Sequence, residues 1–392
     1  MKKSVDVLVI GGGASGVFAA ISAARKGAKV TLVERGGCLG GMLTAGLVGF
    51  TLDSGYKSGI INEFLSEVRK ELEIGSATLF EVQKYVLEQM CINAGVEIYL
   101  HSQVSKVKTD NRKITECELI SKSGLIYITA KAYIDATGDG DIAFMAGCGF
   151  DYGREKDSKA QPMSMIALVT GINENSKEFI SNDKKEFWDG RRQFKELLDE
   201  IAAKYSIGCP SIRYLCDGVY VLSVNQEYGV SGCDVSDLTR ATLNARKEVY
   251  ELVKALRLKA PQVFGQLTLV STPECIGVRE GRRIHGRYTV GIDDMINGRS
   301  QENAVCKVRY WVDIHSLDND GGKGFTDDGV KALPYDIPYD ALIPVDIDNL
   351  VLAGRCISGD FYAHASYRVM GNMIPVGEAA GEIAANLSEA NK

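Results

Sequence analysis

The chain has 392 residues, of which 45% are apolar and 24% charged, with a formal charge of −6. One hydrophobic core rarely serves that length, so two domains are expected. The acidic balance offers no basic footprint for nucleic acid or an anionic membrane surface, and neither is expected as a partner.

No apolar run approaches the roughly 18–20 residues that cross a bilayer. Lys2 and Lys3 are followed by only a short apolar stretch, Val7 to Ile10, before glycines intervene. A signal peptide needs a longer apolar segment, so a cytoplasmic protein is expected. The ten cysteines form no C-x-x-C pair. Metal clusters and thioredoxin-like sites depend on that spacing, so no metal is expected, and small buried hydrophobe is the role read for most of these thiols.

Val5 to Ile10 reads as a strand, followed by Gly11-Gly12-Gly13-Ala14-Ser15-Gly16, a small-residue helix from Val17 to Lys26, and a second strand from Lys29 to Val33. This is one βαβ unit. A loop with Gly40-Gly41 comes next, then helices near Gly59 to Leu72 and Leu79 to Ala94, and a strand from Val96 to Leu100. Val104 to Lys108, Ile114 to Ser121 and Leu125 to Ala130 read as an antiparallel meander with turns at Asn111 and Ser123-Gly124. Ala132 to Asp135 reads as a separate short buried strand that ends in Ala136-Thr137-Gly138-Asp139-Gly140-Asp141. From Phe150 to Leu333 the pattern is irregular, with strands expected at Ser164 to Thr170 and Gly218 to Val224 and a long helix from Ser236 to Leu258. Leu350 to Ala353 again reads as a buried strand, and Met373 to Leu387 as a final helix that belongs with the N-terminal unit.

Gly11, Gly13 and Gly16 form G-x-G-x-x-G after a strand and before a helix. The first glycine permits the turn, the second admits a pyrophosphate close to backbone, and the third lets helix and strand pack tightly. Glu34 ends the second strand, where a carboxylate accepts hydrogen bonds from ribose hydroxyls. These features together point to a bound adenine dinucleotide. A nicotinamide domain usually continues into another short loop and helix. Here a second glycine loop and a long excursion follow, and Gly40-Gly41 offers backbone along a longer cofactor.

The segments DVLVIGGGASG, VERGGCLGGMLTAG, YIDATGDGDIAFMAG, REGRRIHGRYTV and NLVLAGRCISGD with AHASYRVMGNMIPVGEAAG together resemble the FAD-dependent oxidoreductases related to fumarate reductase flavoproteins. More broadly they are similar to glutathione-reductase-type flavoproteins. The resemblance implies an α/β fold. A Rossmann-like FAD-binding domain, with a central parallel sheet and a β-meander, would comprise residues 1–149 and 334–392. An inserted α+β substrate domain would comprise residues 150–333.

The resemblance also implies site residues. Gly11, Gly13, Ala14, Ser15 and Gly16 would hold the pyrophosphate and Glu34 the ribose, with Arg35 beside it. Gly40, Gly41 and Met42 would run toward the flavin, and Val104 would contact adenine through its backbone. Ala136, Thr137 and Gly138 would cover the adenosine, with Asp141 nearby. Gly354 and Arg355 would approach the ribityl chain. Gly371, Asn372 and Met373 would begin a helix whose amide dipoles face the flavin. Gly359-Asp360 departs from the serine or small residue common in such proteins, and Asp360 is a candidate for the ribityl hydroxyls.

No second G-x-G-x-x-G occurs, which argues against an internal nicotinamide domain, and Cys38 lacks the nearby partner of a disulfide relay. For substrate chemistry, Arg279, Arg282, Arg283 and His285 cluster in VREGRRIHG, and guanidinium groups suit carboxylates. His315 and His364 are candidate acids or bases. Arg279, Arg282, His315 and His364 are thus the catalytic candidates, with Tyr367 and Arg368 facing the flavin beside them. The expected activity is two-electron redox chemistry on a small organic substrate with an external electron donor or acceptor. An electron carrier, a redox-sensing module and a sulfur-transfer flavoprotein stay open as alternatives, as does a homo-oligomeric state.

Overall fold

The computed structural model describes all residues except 174–175, 182–186, 217, 319–323 and 391–392. Strand β1 (Lys2–Ile10) is covered on both faces from Val7 onward, which its unbroken apolar run requires. Helix α1 (Ala14–Arg25) leads to β2 (Val30–Val33), which lies parallel to β1. Helices α2 (Ile60–Ile74) and α3 (Leu79–Asn93) precede β3 (Glu97–Tyr99), which adds in parallel to β2. Strands β4 (Gln103–Asp110), β5 (Lys113–Ser121) and β6 (Gly124–Asp135) form the antiparallel meander.

All six strands belong to one sheet in the order β3-β2-β1-β6-β5-β4, and a seventh, Leu350–Leu352, pairs in parallel with the end of β6. The separate strands expected at Leu125 to Ala130 and Ala132 to Asp135 are therefore one. In β6 the residues alternate at first, with Ile126 and Ile128 buried and Leu125 and Thr129 exposed, whereas Ala132 to Asp135 are all buried. The strand passes from a region with one covered face to a region with two. That change of surroundings resembles a break when only polarity is read.

The inserted segment builds its own antiparallel sheet in the order Thr268–Ser271, Ile166–Thr170, Val219–Ser223, Ser211–Cys216. Helices Phe187–Glu200 and Val235–Lys259 cover it through Phe194, Leu198, Val249 and Leu256. Asp234 caps the long helix by accepting from the Asp237 amide. The expected strands at Ser164 to Thr170 and Gly218 to Val224 and the helix at Ser236 to Leu258 are present within a few residues. The strands Ser211–Cys216 and Thr268–Ser271 were not anticipated and are too short to carry a sustained apolar period; the helix Phe187–Glu200 does carry one, through Phe194, Leu197 and Leu198, and was missed. Past the inserted sheet, Ile284, Val290, Met295, Val308 and Ile314 join the core of the large sheet.

The final helix, Met370–Ala390, returns across α1. A Cβ on Gly377 would lie 2.2 Å from the Ser15 carbonyl oxygen, and one on Gly381 would lie 2.2 Å from that of Ala19. This crossing ties the C-terminal segment to the glycine turn. Ala is normally about 1 kcal/mol better than Gly inside a helix. At this crossing the added methyl meets backbone, and overpacking of that kind costs roughly 1–3 kcal/mol. Gly377→Ala is therefore expected to lower the urea unfolding midpoint, and a raised midpoint would show that the helices are not in close contact.

Candidate active site

The three motif glycines do different work. Gly11 has φ +100°, and a Cβ there would sit 2.3 Å from the Ala136 carbonyl oxygen. A Cβ on Gly16 would sit 1.8 Å from the Gly11 carbonyl oxygen. Both therefore serve the close approach of α1, β1 and β6. A Cβ on Gly13 meets nothing within 4 Å. Its open side faces a cavity of about 740 Å³, toward the upper part of the range for ligand sites.

Ala14, Ser15, Ala136, Thr137 and Gly138 line this cavity beside the glycine turn, as do Gly354 and Arg355. Glu34, Arg35, Val104 and Asp141 line it as well, together with Gly41 and Met42. Where the final helix begins, Arg368, Met370 and Met373 complete the wall. The inserted segment contributes Glu274, Cys275, Ile276 and Val278. Nothing in the local sequence marks those four, because they arrive only through the tertiary fold.

Local bonding holds the walls in place. The Glu34 carboxylate accepts from the Gly12 amide at 2.7 Å and the Gly36 amide at 2.6 Å, joining the two glycine loops. Its remaining lone pairs stay available to hydroxyl donors. Asp135 is fully buried and accepts from the Thr137 hydroxyl and from the amides of Thr137, Ile142 and Ala143. Burial raises its pKa to about 6 against those bonds. Arg355 donates to Asp139 at 2.7 Å and to the Val278 carbonyl, linking the TGDGD loop to the inserted segment.

Beside Arg368 lies a polar cluster. Arg368 donates to Gln161 Oε1 at 3.2 Å and to the Asp313 carbonyl at 2.9 Å, and is 3.7 Å from the Asp313 carboxylate. The Gln226 amide nitrogen is 2.9 Å from His315 Nδ1, so Nδ1 accepts and Nε2 carries the proton facing Asp313 at 3.5 Å. Burial, reinforced by the Arg279 charge, lowers the His315 pKa to about 4 and leaves the ring neutral. Burial opposes ionisation of Asp313, but His315, Arg368 and Arg279 together hold it at about 2. Arg279 donates to the Pro162 carbonyl and the Ser164 hydroxyl, and burial, with Arg368 nearby, lowers its pKa to about 9. Asp313 stands two residues before His315 in WVDIH, a spacing that places both on one side of an extended segment and was overlooked.

Other expected residues lie elsewhere. Gly16 and Gly40 are buried behind the turn, where Gly40 donates to the Gly12 carbonyl at 2.8 Å. Gly371 packs against Leu52, with a Cβ there 2.2 Å from its carbonyl oxygen, and Asn372 is sealed beside Cys306. The amides of Gly371, Asn372 and Met373 are already bonded to the carbonyls of Leu52 and Val369. They are therefore not free donors toward a flavin, and only the helix dipole remains for that role. Asp360 caps the helix Phe361–Tyr367 and also accepts from the Ile292 amide, so both its oxygens are engaged. Arg282 pairs with Asp141 at 2.9 Å and stacks on Phe144 and Phe150. His364 is fully buried, its pKa lowered by burial and by the charge of Arg283. Neither Arg282 nor His364 is part of the cavity wall.

A sheet with a parallel core, whose first glycine turn opens on a large cavity, has the architecture of a Rossmann-like domain. The chain belongs to the FAD dependent oxidoreductase family, whose model matches residues 6–392, and FAD is its cofactor. Among solved structures it is similar to a geranylgeranyl bacteriochlorophyll reductase-like protein from Thermoplasma acidophilum. That match has 13% identity, covers 100% of this chain and 80% of the other, and has a TM-score of 0.48. It is also similar to the p-nitrophenol 4-monooxygenase PnpA from Pseudomonas putida, at 13% identity, 100% and 81% coverage and a TM-score of 0.49. A third is the flavin-dependent brominase Bmp2, at 12% identity, 97% and 80% coverage and a TM-score of 0.47. A search of curated protein sequences finds no match. No described helix is long and apolar enough to cross a membrane. The cavity fits FAD on its own evidence: an open glycine face, a carboxylate with spare lone pairs and walls drawn from both chain ends.

Two outcomes follow. Gly13 has φ −72° and ψ −175°, extended backbone that any residue adopts. Gly13→Val should leave the melting temperature of the apoprotein nearly unchanged while abolishing flavin retention on desalting; retained flavin would mean the cofactor lies elsewhere. His315 has a folded pKa below its unfolded value of about 6.5. Its stabilising contribution is therefore present above that pH and lost as pH falls through 4. His315→Gln is expected to flatten the decline in unfolding free energy between those pH values, measured by urea titration.

Proposed function

We propose that this enzyme carries out two-electron oxidation or reduction of a small organic molecule at the part of the cavity lined by Arg368, with an external donor or acceptor closing the cycle. Bound FAD supplies hydride exchange at N5. In this reading the glycine turn and the start of the final helix flank the cofactor, Glu34 holds its ribose, and Val104 lies at the adenine. The inserted segment, whose own core runs from Ala167 to Leu267, covers the substrate. The kinship with fumarate reductase flavoproteins belongs to the same proposal.

The observation that carries it is the meeting of the cavity with the Arg279–Asp313–His315–Arg368 cluster. Ligand sites favour such junctions between units. An arginine there binds substrate and stabilises developing negative charge. His315 has both nitrogens engaged and its proton turned to Asp313, so it orients that carboxylate. Arg282 and His364 have structural roles in this reading, and a pure electron carrier would have no need of a polar cluster on the cavity.

The test is anaerobic: the flavin is photoreduced, and carbonyl, enoate and quinone acceptors are screened for reoxidation by stopped flow. At least one class should reoxidise it within the range of enzyme turnover, about 1–1,000 s⁻¹. Arg368→Ala should slow that step at least about ten-fold with flavin content unchanged, whereas Arg282→Ala should not. Reoxidation by one-electron carriers alone would favour the electron-carrier alternative.

A further inference from the structure

We propose that the substrate carries a single carboxylate on an uncharged, largely apolar body, and that Arg279 and Arg368 together clamp that carboxylate; this rests on the redox reading above. The basis is the charge balance around the cluster. Arg279 donates to the Pro162 carbonyl, next in the chain to Gln161, which holds Arg368, and it feels the charges of Arg368 and Asp313. Asp313 lies 3.5 Å from His315 and 3.7 Å from Arg368, and also feels Arg279. Glu280 also senses Arg368, but it is closed off in a 2.6 Å pair with Arg283. Two guanidinium groups thus share one carboxylate beside a neutral imidazole, leaving one positive charge without a partner.

Three other arginines near the cavity are matched, whereas Arg35, exposed on its wall, has no carboxylate within ion-pair distance among the described residues. Arg282 has Asp141 at 2.9 Å, Arg283 has Glu280 at 2.6 Å, and Arg355 has Asp139 at 2.7 Å. Among the described residues Arg279 has no carboxylate within ion-pair distance, and its two hydrogen-bond acceptors are neutral. A buried charge left in this state is costly unless something of opposite sign arrives. Donors also stand ready, since Arg368 Nε and Gln161 Nε2 are buried without partners. Gln161 is 2% exposed, and its other amide atom already holds Arg368. The cluster is not a sealed core, because the side chains of Arg368, Asp313 and His315 keep 11%, 16% and 19% exposure.

The count limits the ligand to one negative charge. Of the cavity's lining, Met370 follows Arg368 by two residues and Ile276 arrives from the inserted segment, both apolar. A second carboxylate would meet thioether and alkyl groups and reverse the imbalance. An alkyl body would instead lie against that wall and lose its hydration favourably.

Equilibrium dialysis of the holoprotein against hexanoate, succinate and hexanamide tests this without reference to turnover. Hexanoate is expected to bind at least about ten-fold more tightly than either of the others. Arg279→Gln and Arg368→Gln should each weaken it by roughly ten-fold or more, the usual scale for a charge-assisted bond. Asp313→Asn adds one positive charge and should move preference toward succinate, which keeps the idea testable if Arg279→Gln fails to fold. Equal binding of hexanamide, tighter binding of succinate to the unaltered protein, or no response to Asp313→Asn overturns the proposal. If hexanoate fails while organic acceptors still reoxidise the flavin, only the substrate class falls. If hexanoate binds but no organic acceptor reoxidises the flavin, the redox reading falls and the clamp stands.

Discussion

The close approach of three backbones at the first turn governs the rest of the structure. Gly11 lies against the Ala136 carbonyl and Gly16 against that of Gly11, so β1, β6 and the start of α1 meet with no side chain between them. Only this contact lets the helix begin directly at the C-terminal ends of β1 and β6 and leaves Gly13 facing the cavity. A Cβ at either packing glycine would push the helix outward and displace the cavity wall.

The same principle of glycine-mediated contact closes a discontinuous unit. Gly377 and Gly381 bring the final helix onto α1, and Leu350–Leu352 pairs with the end of β6. Strand β6 is the shared member: it lies parallel to β1, antiparallel to β5 near its start and parallel to Leu350–Leu352 near its end. One strand thus carries the meander and one wall of the cavity, and it ends at Asp135, whose carboxylate organises the TGDGD loop. Rigidity passes from the sheet to the cavity through that side chain.

Electrostatics separates five of the arginines near the cavity into two kinds. Arg282, Arg283 and Arg355 are matched to carboxylates and fasten loops to one another. Arg279 and Arg368 share a single acid, which leaves them oriented and short of negative charge. Fastening and recognition here use the same residue type, and what separates them is the count of nearby carboxylates.

The motif G-x-G-x-x-G, the acid at Glu34 and the alternation of the meander were legible because each depends on neighbours in the chain: a turn, a strand end, a pleat. The βαβ unit and the long helix Val235–Lys259 follow from such local rules, whereas most of the cavity wall was legible only through the family resemblance. The continuity of β6 was not legible, since its polarity changes with the layers above and below it. Asp313 and Gln161 were likewise hidden, and so were the unequal surroundings of Arg279 and Arg282, three residues apart in one segment. Local sequence determined where the glycine turn opens, because backbone conformation is set within a few residues. Tertiary structure alone decided which charges are left unmatched, because a buried charge is answered by whatever side chain the fold brings within a few ångströms, however distant in sequence.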